Sequence, residues 1–211
     1  SLYQVVPERI EGGILGSVVP ALTGRVLGAL RMLCSARFLT VGPGLKSGIK
    51  LRLDNPAQLG AELLCGAVAA LAEGPGPLAV ISADTAISIM AVNGKQELVG
   101  GAILPGPQLS LSALVQKTAQ LPQIDLSAPA SSSILGKNTS ACLQNGFVLG
   151  TAGLLDGLAE RFQAELGPGI RFYATGNLPR TIREACRTPI QYREYLITDG
   201  LYRIWQKNRK G

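Results

Sequence analysis

The chain has 211 residues, 46% of them hydrophobic and 16% charged, with 26 glycines, 13 prolines and a formal net charge of +6. That balance suits a compact α/β protein with a real core, as one large domain or two small ones, and excludes a disordered or fibrous chain. There is no histidine; this removes Ser-His and Cys-His nucleophile pairs and most transition-metal sites, so acid–base chemistry falls to carboxylates or lysines.

The longest apolar helical run is interrupted by Asp156, so no membrane span is expected. No charged segment followed by an apolar one opens the chain, which reads as cytoplasmic. It begins with Ser1, inside what reads as a continuing segment, so an N-terminal portion is expected to be missing. Cys34, Cys65, Cys142 and Cys186 lack any C-x-x-C spacing and read as free thiols rather than a disulfide or metal set. Arg203, Lys207, Arg209 and Lys210 read as a solvated helix end, and no nucleic-acid partner is expected.

Taken in chain order, Gly13 to Pro20 is an apolar run fit for a strand, Leu22 to Leu33 has helical periodicity, and Ala36 to Val41 is a second short strand. After the loop Gly42 to Gly48, Asp54-Asn55-Pro56 is expected to cap a helix running to about Leu71. Glu73-Gly74-Pro75-Gly76-Pro77 is the candidate boundary between residues 1–74 and 75–211. Strands are expected at Leu78–Ser82, Ala86–Val92 and Glu97–Leu104, with Asn93-Gly94 as a hairpin turn. Helices follow at Ser110–Gln120 and from Asn138 to about Leu166, then a strand at Ile170–Ala174 and two short helices. Gly146, Gly150, Gly153 and Gly157 share one face of the long helix, which points to a closely packed backbone there. Its owner is another helix of this chain or the same helix of a second subunit.

Two sets of strands and helices suggest two related α/β lobes with a ligand cleft between them. Glu62, two residues after Gly60, falls in the first turn of a helix beside a glycine-rich loop. Such a carboxylate is either a partner of the helix dipole, worth about 0.3–1 kcal/mol, or a group facing a hydroxyl-bearing substrate.

These blocks resemble those of type III pantothenate kinases, also described as Bvg accessory factor-like. Ser17-Val18-Val19-Pro20 resembles S-S-V-V-P, Pro43 to Gly48 resembles P-G-I-K-T-G, Gly100 to Gly106 resembles G-G-A-I-x-P-G, and Gly136-Lys137-Asn138-Thr139 matches G-K-N-T. The resemblance runs from Gly13 essentially to the end. It implies a two-lobed actin-like ATPase (ribonuclease H-like) fold, with residues 1–74 the remainder of the first lobe and 75–211 the second. No D-x-G-N-T occurs in the chain, so the first lobe is expected to be truncated.

The implied activity is transfer of the γ-phosphoryl of ATP to pantothenate, the first step of coenzyme A biosynthesis, with Mg2+ and a monovalent cation (K+ or NH4+). A non-catalytic homologue acting as a binding or regulatory protein is the other reading. By resemblance Glu62 is the proton acceptor, Gly60, Ala61, Glu62, Leu63 and Thr139 contact pantothenate, and Thr85, Gly100, Gly101 and Gly176 contact the nucleotide. Thr139 is implied to reach the substrate from the other subunit of a homodimer. Six positions depart from the family pattern: Glu62 stands for an aspartate, Leu63 for an arginine, Leu53 for an aromatic substrate contact, Ser82 for the cation-binding aspartate, and Asp84 and Asn177 each for a glycine.

Overall fold

The structure, a computed structural model, describes residues 6–128 and 133–209. Six strands form one mixed sheet in the order β3-β6-β5-β4-β7-β8. These are β3 (Lys50–Leu51), β4 (Leu78–Ala83), β5 (Ala86–Val92), β6 (Glu97–Pro105), β7 (Arg171–Gly176) and β8 (Ile190–Tyr192). β5 runs antiparallel to both neighbours, while β4, β7 and β8 are mutually parallel. That arrangement is the ribonuclease H-like lobe of actin-like ATPases. A separate parallel pair, β1 (Gly12–Leu15) and β2 (Arg37–Thr40), is bridged by helix α1 (Pro20–Leu33).

Strand β4 is buried along its whole length, so both faces of the sheet must be covered. Helix α4 (Thr139–Leu166) covers one face: Val148, Ala152, Leu155 and Ala159 pack with Ala79, Ile81, Ile87, Ile89 and Phe172. Helix α2 (Ala61–Ala72) covers part of the other, with Leu63, Ala67 and Ala70 against Leu78, Val80, Met90 and Tyr173. Helix α6 (Leu196–Asn208) lies across α2 at Gly200, where any side chain would overlap the Cys65 carbonyl. Both β3 and α2 pack on the sheet that follows the Glu73–Pro77 connection.

Several elements differ from the sequence reading. β1 ends at Leu15, because Ser17 Oγ accepts from Val19 N–H and Pro20 then starts α1. The helix expected from Asp54 is two pieces. Asn55 Oδ1 accepts from Ala57 N–H and caps only a 3-10 turn, Pro56–Gln58; Leu59 and Gly60 are extended, and α2 starts afresh at Ala61. Helix α3 (Pro107–Gln116) begins three residues earlier than expected, since Pro107 takes the first helical position where an amide hydrogen is not needed. A short helix, α5 (Arg180–Ala185), and the edge strand β8 precede α6.

No other backbone of the described chain packs closely on the glycine face of α4. A Cβ added at Gly146, Gly150, Gly153 or Gly157 would meet no atom within 4 Å. Packing by another helix of this chain, one of the two alternatives, is therefore overturned. All four cysteines are free, and burial pushes the Cys65 thiol up to about 12. Among the described residues no helix is long and apolar enough to cross a membrane.

Candidate active site

The site is built by the direction of α2. Its C-terminal end connects to the start of β4 through a short linker, so the helix runs antiparallel to that strand and its N-terminal end points toward the strand's far end. Gly66 lies over Val80, where an added Cβ would sit 3.0 Å from Val80 Cγ1. Four residues back along the helix is about 6 Å. Two residues forward along the strand is about 7 Å. Glu62 thus stands above the level of Ser82, exposed, in the first turn of a helix whose free N–H groups favour anions.

Beneath it the sheet carries a row of hydroxyl side chains: Ser82 and Thr175 are buried, Thr175 Oγ1 donating to the Glu194 carbonyl at 3.4 Å, and Ser88 is half-buried. Ser82 pairs with Ser88 on one side and Thr175 on the other, and Ser88 pairs with Ile103. Residues directly opposite in a ladder share a face. The row thus reads Thr175, Ser82, Ser88, Ile103, three hydroxyls followed by an apolar side chain that is 74% exposed. Of this row the sequence motifs single out Ser82 alone. Ser88 interrupts an otherwise apolar strand, which was its one sequence signal.

At the end of this row the β4–β5 turn carries Asp84 and Thr85, both exposed. The loop after β7 meets it. Gly176 has φ +81°, and a Cβ there would overlap the Ala83 carbonyl, so the close approach of the two loops requires glycine. Asn177 N–H donates to the Ala83 carbonyl, Asn177 Nδ2 donates to Asp84 Oδ1 at 3.1 Å, and Tyr192 Oη donates to the Gly176 carbonyl at 2.9 Å. A cavity of about 410 Å³ opens here, lined by Asp84, Thr85, Gln108, Ser112, Asn177 and Pro179 among others.

A second cavity, about 730 Å³, borders the α2 N-terminus. Ser17 and Val18, Gly42 to Leu45, and Asn55 to Ala61 line it. Three sequence blocks far apart in the chain therefore meet in one groove, with Gly60 and Ala61 as its link to Glu62.

Other expected site residues fall elsewhere. Leu63 is 7% exposed and belongs to the core under α2, facing away from the groove. Gly100 and Gly101 pair with Ala91 and Met90, toward the opposite end of the sheet from the Asp84–Thr85 turn. They border a separate cavity with Arg161, Phe162 and Glu165. The ladder slips beside them, between Ala91 and Val92, and Gly100 has φ +140°, so a backbone irregularity accounts for glycine there. Thr139 is exposed at the start of α4, on the face of the sheet opposite α2. Within one chain the sheet separates it from Glu62.

Ser82 offers a neutral hydroxyl, and among the described residues no group of three Cys, Asp or Glu side chains could hold a metal ion. This donor set does not fit a carboxylate-bound monovalent cation at Ser82. Asp84 is the carboxylate of the turn.

The frame of the site is a ribonuclease H-like sheet with a helix-borne carboxylate at the edge of a groove. A sequence model of the family described as type III pantothenate kinase matches residues 2–161, and the chain belongs to that family. A type III pantothenate kinase of an Exiguobacterium species is 35% identical over 203 residues, 96% of this chain and 79% of the relative. That of Koribacter versatilis is 36% identical, over 95% of this chain and 72% of the relative. A crystal structure described as a conserved Baf family transcriptional activator from Campylobacter jejuni superposes with a TM-score of 0.58 at 17% identity, covering 100% of this chain and 88% of its own. That last likeness concerns the fold.

Proposed function

We propose that the protein transfers the γ-phosphoryl group of ATP to the hydroxyl of pantothenate. The observation that carries this reading is the position of Glu62, exposed at the N-terminal end of α2, at the level of Ser82 and next to Gly60 and Ala61 of the larger groove. Pantothenate would occupy the larger groove beside Gly60 and Ala61, and the nucleotide the turn at Thr85 and Gly176.

Phosphoryl transfer asks the protein mainly for alignment and charge stabilisation. Glu62 accepts the proton of the attacking hydroxyl. The first-turn N–H groups of α2 favour the negative charge carried by the transferred group. The half-buried Ser88 hydroxyl of the sheet can donate to a phosphate oxygen. Mg2+ would supply further screening of the triphosphate. The reading also includes a cytoplasmic location.

A coupled ATP/pantothenate assay on the purified chain, with magnesium and potassium present, tests the proposal. Turnover is expected, and Glu62→Ala should lower kcat by about 10²- to 10⁴-fold, the usual worth of a general base, with an unchanged circular dichroism spectrum. Absence of turnover in the parent chain would overturn the reading.

The open glycine face of α4 supports a homodimer, because a second copy could approach that backbone closely and bring its own Thr139 across. Sedimentation should find a dimer at micromolar concentration, and Gly150→Arg should convert it to monomer.

A further inference from the structure

The β4–β5 turn holds a carboxylate that phosphoryl transfer by Glu62 leaves without a task. Asp84 sits in a pinned turn: its N–H donates to the Ala86 carbonyl at 2.9 Å, and the Thr85 carbonyl accepts from Gly106 N–H at 2.9 Å. Its side chain is held from one side only. Asn177 Nδ2 donates to Oδ1 at 3.1 Å, and Asn177 is itself anchored through its backbone to Ala83. The remaining acceptor capacity of Asp84 is turned toward the 410 Å³ cavity, alongside the hydroxyl-bearing Thr85 and Ser112.

No lysine or arginine lines that cavity, and Asp84 forms no ion pair among the described residues. A bare carboxylate beside a triphosphate places like charges together, which disfavours binding strongly. A bound divalent cation reverses that logic. Magnesium commonly takes one or two carboxylates, leaving its other positions to waters and substrate phosphates. One oriented aspartate with a neighbouring hydroxyl fits that demand. The amide also fixes the carboxylate's rotamer without neutralising it. Asp84 and Asn177 are, moreover, two of the positions where the chain departs from the glycines expected of its family, and the departures touch each other.

We propose that Asp84, oriented by Asn177, is a ligand of the divalent cation that accompanies the nucleotide, so that this turn recognises a metal–triphosphate complex and rejects the free triphosphate. The inference rests on the nucleotide-binding reading above. Asn177 acts here as a positioning residue.

Calorimetric titration of the full chain with a non-hydrolysable ATP analogue, in Mn2+ and separately in EDTA, reads the preference directly. Electron paramagnetic resonance of Mn2+ reports metal coordination without any turnover. The parent chain should bind the Mn2+ complex at least about tenfold more tightly than the free analogue. Asp84→Gly should shrink that ratio by about tenfold, by tightening metal-free binding and weakening the complex. Asn177→Gly should fall between them, and the exchange Asp84→Asn with Asn177→Asp should return part of the ratio.

An unchanged ratio in Asp84→Gly would overturn the inference and leave nucleotide binding standing. Equal tightening of both forms would do the same, because the carboxylate would then be an obstruction only. If neither the parent nor Asp84→Gly binds the analogue while both keep the same circular dichroism, this inference and the nucleotide reading fall together.

Discussion

The β1–α1–β2 unit and the six-stranded sheet are both assembled from apolar runs, yet they end in opposite environments. No described side chain of β1, α1 or β2 is fully buried, and Leu22, Met32 and Leu33 are 52%, 89% and 64% exposed. In the sheet, Leu78, Ala79, Ile87 and Val92 are completely inaccessible. Local pattern is enough to form a helix or strand, but only packing against a partner converts it into stability. Helix α2 joins the two regions. Its sides belong to the sheet's core, while its first turn opens on the groove lined by Val18, Gly44 and Leu45. The end that carries Glu62 is therefore presented by the rigid region to the loosely packed one.

That contrast should break most visibly at Ile87. It lies in the core between the sheet and α4, and Ile87→Ala should cost about 2–5 kcal/mol, the range for emptying a well-packed site. A urea titration reads this as a lower midpoint at unchanged slope. A loss below 1 kcal/mol would mean the sheet is packed no better than the β1–α1–β2 unit.

Asp156 gives a pH-dependent version. It is 3% exposed, on α4, and accepts from the N–H groups of Arg187 and Thr188 at 3.0 and 2.9 Å. Burial alone would raise its pKa, but these N–H donors hold its carboxyl below the usual range. A folded-state pKa below the unfolded value means the stabilisation is present at neutral pH and is lost as pH falls through about 4 and below. Asp156→Ala should cost about 1–3 kcal/mol at pH 7, the penalty of stranding buried donors. It should also flatten the acid limb of the stability curve below about pH 4.

How much of this was readable beforehand follows from the range of each interaction. The Asn93-Gly94 hairpin, the start of α4 near Asn138 and the acid in the first turn of α2 are local features, and they were legible. The extended Leu59-Gly60 break was not, because Asn55-Pro56 is an equally good start for a full helix as for one 3-10 turn. Strands β3 and β8 are two and three residues long, too short for any alternation to register. The Thr175–Ser82–Ser88–Ile103 row exists only through strand register. The Asp84–Asn177 bond spans 93 positions in sequence. Leu63 and the Gly100–Gly101 pair were drawn to the site by their motifs, whereas packing and a ladder slip explain them.

The smallest expected effect is the most direct test of the contrast. Met32 lies at the last turn of α1 with 89% of its surface exposed, so Met32→Lys removes almost no buried apolar area and strands no polar group. Surface changes of that kind fall within about 0.5 kcal/mol. Lysine also places a cation near the carbonyl end of the helix, where the dipole favours it. The substitution should therefore leave the urea midpoint unchanged or raise it slightly, while amide exchange should remain fast throughout α1 and slow in β4 and β5. If Met32→Lys instead destabilised the protein by 2 kcal/mol or more, or if α1 amides were protected as strongly as those of the sheet, α1 would have to be covered in solution. The β1–α1–β2 unit would then owe its stability to a surface that a single chain does not supply.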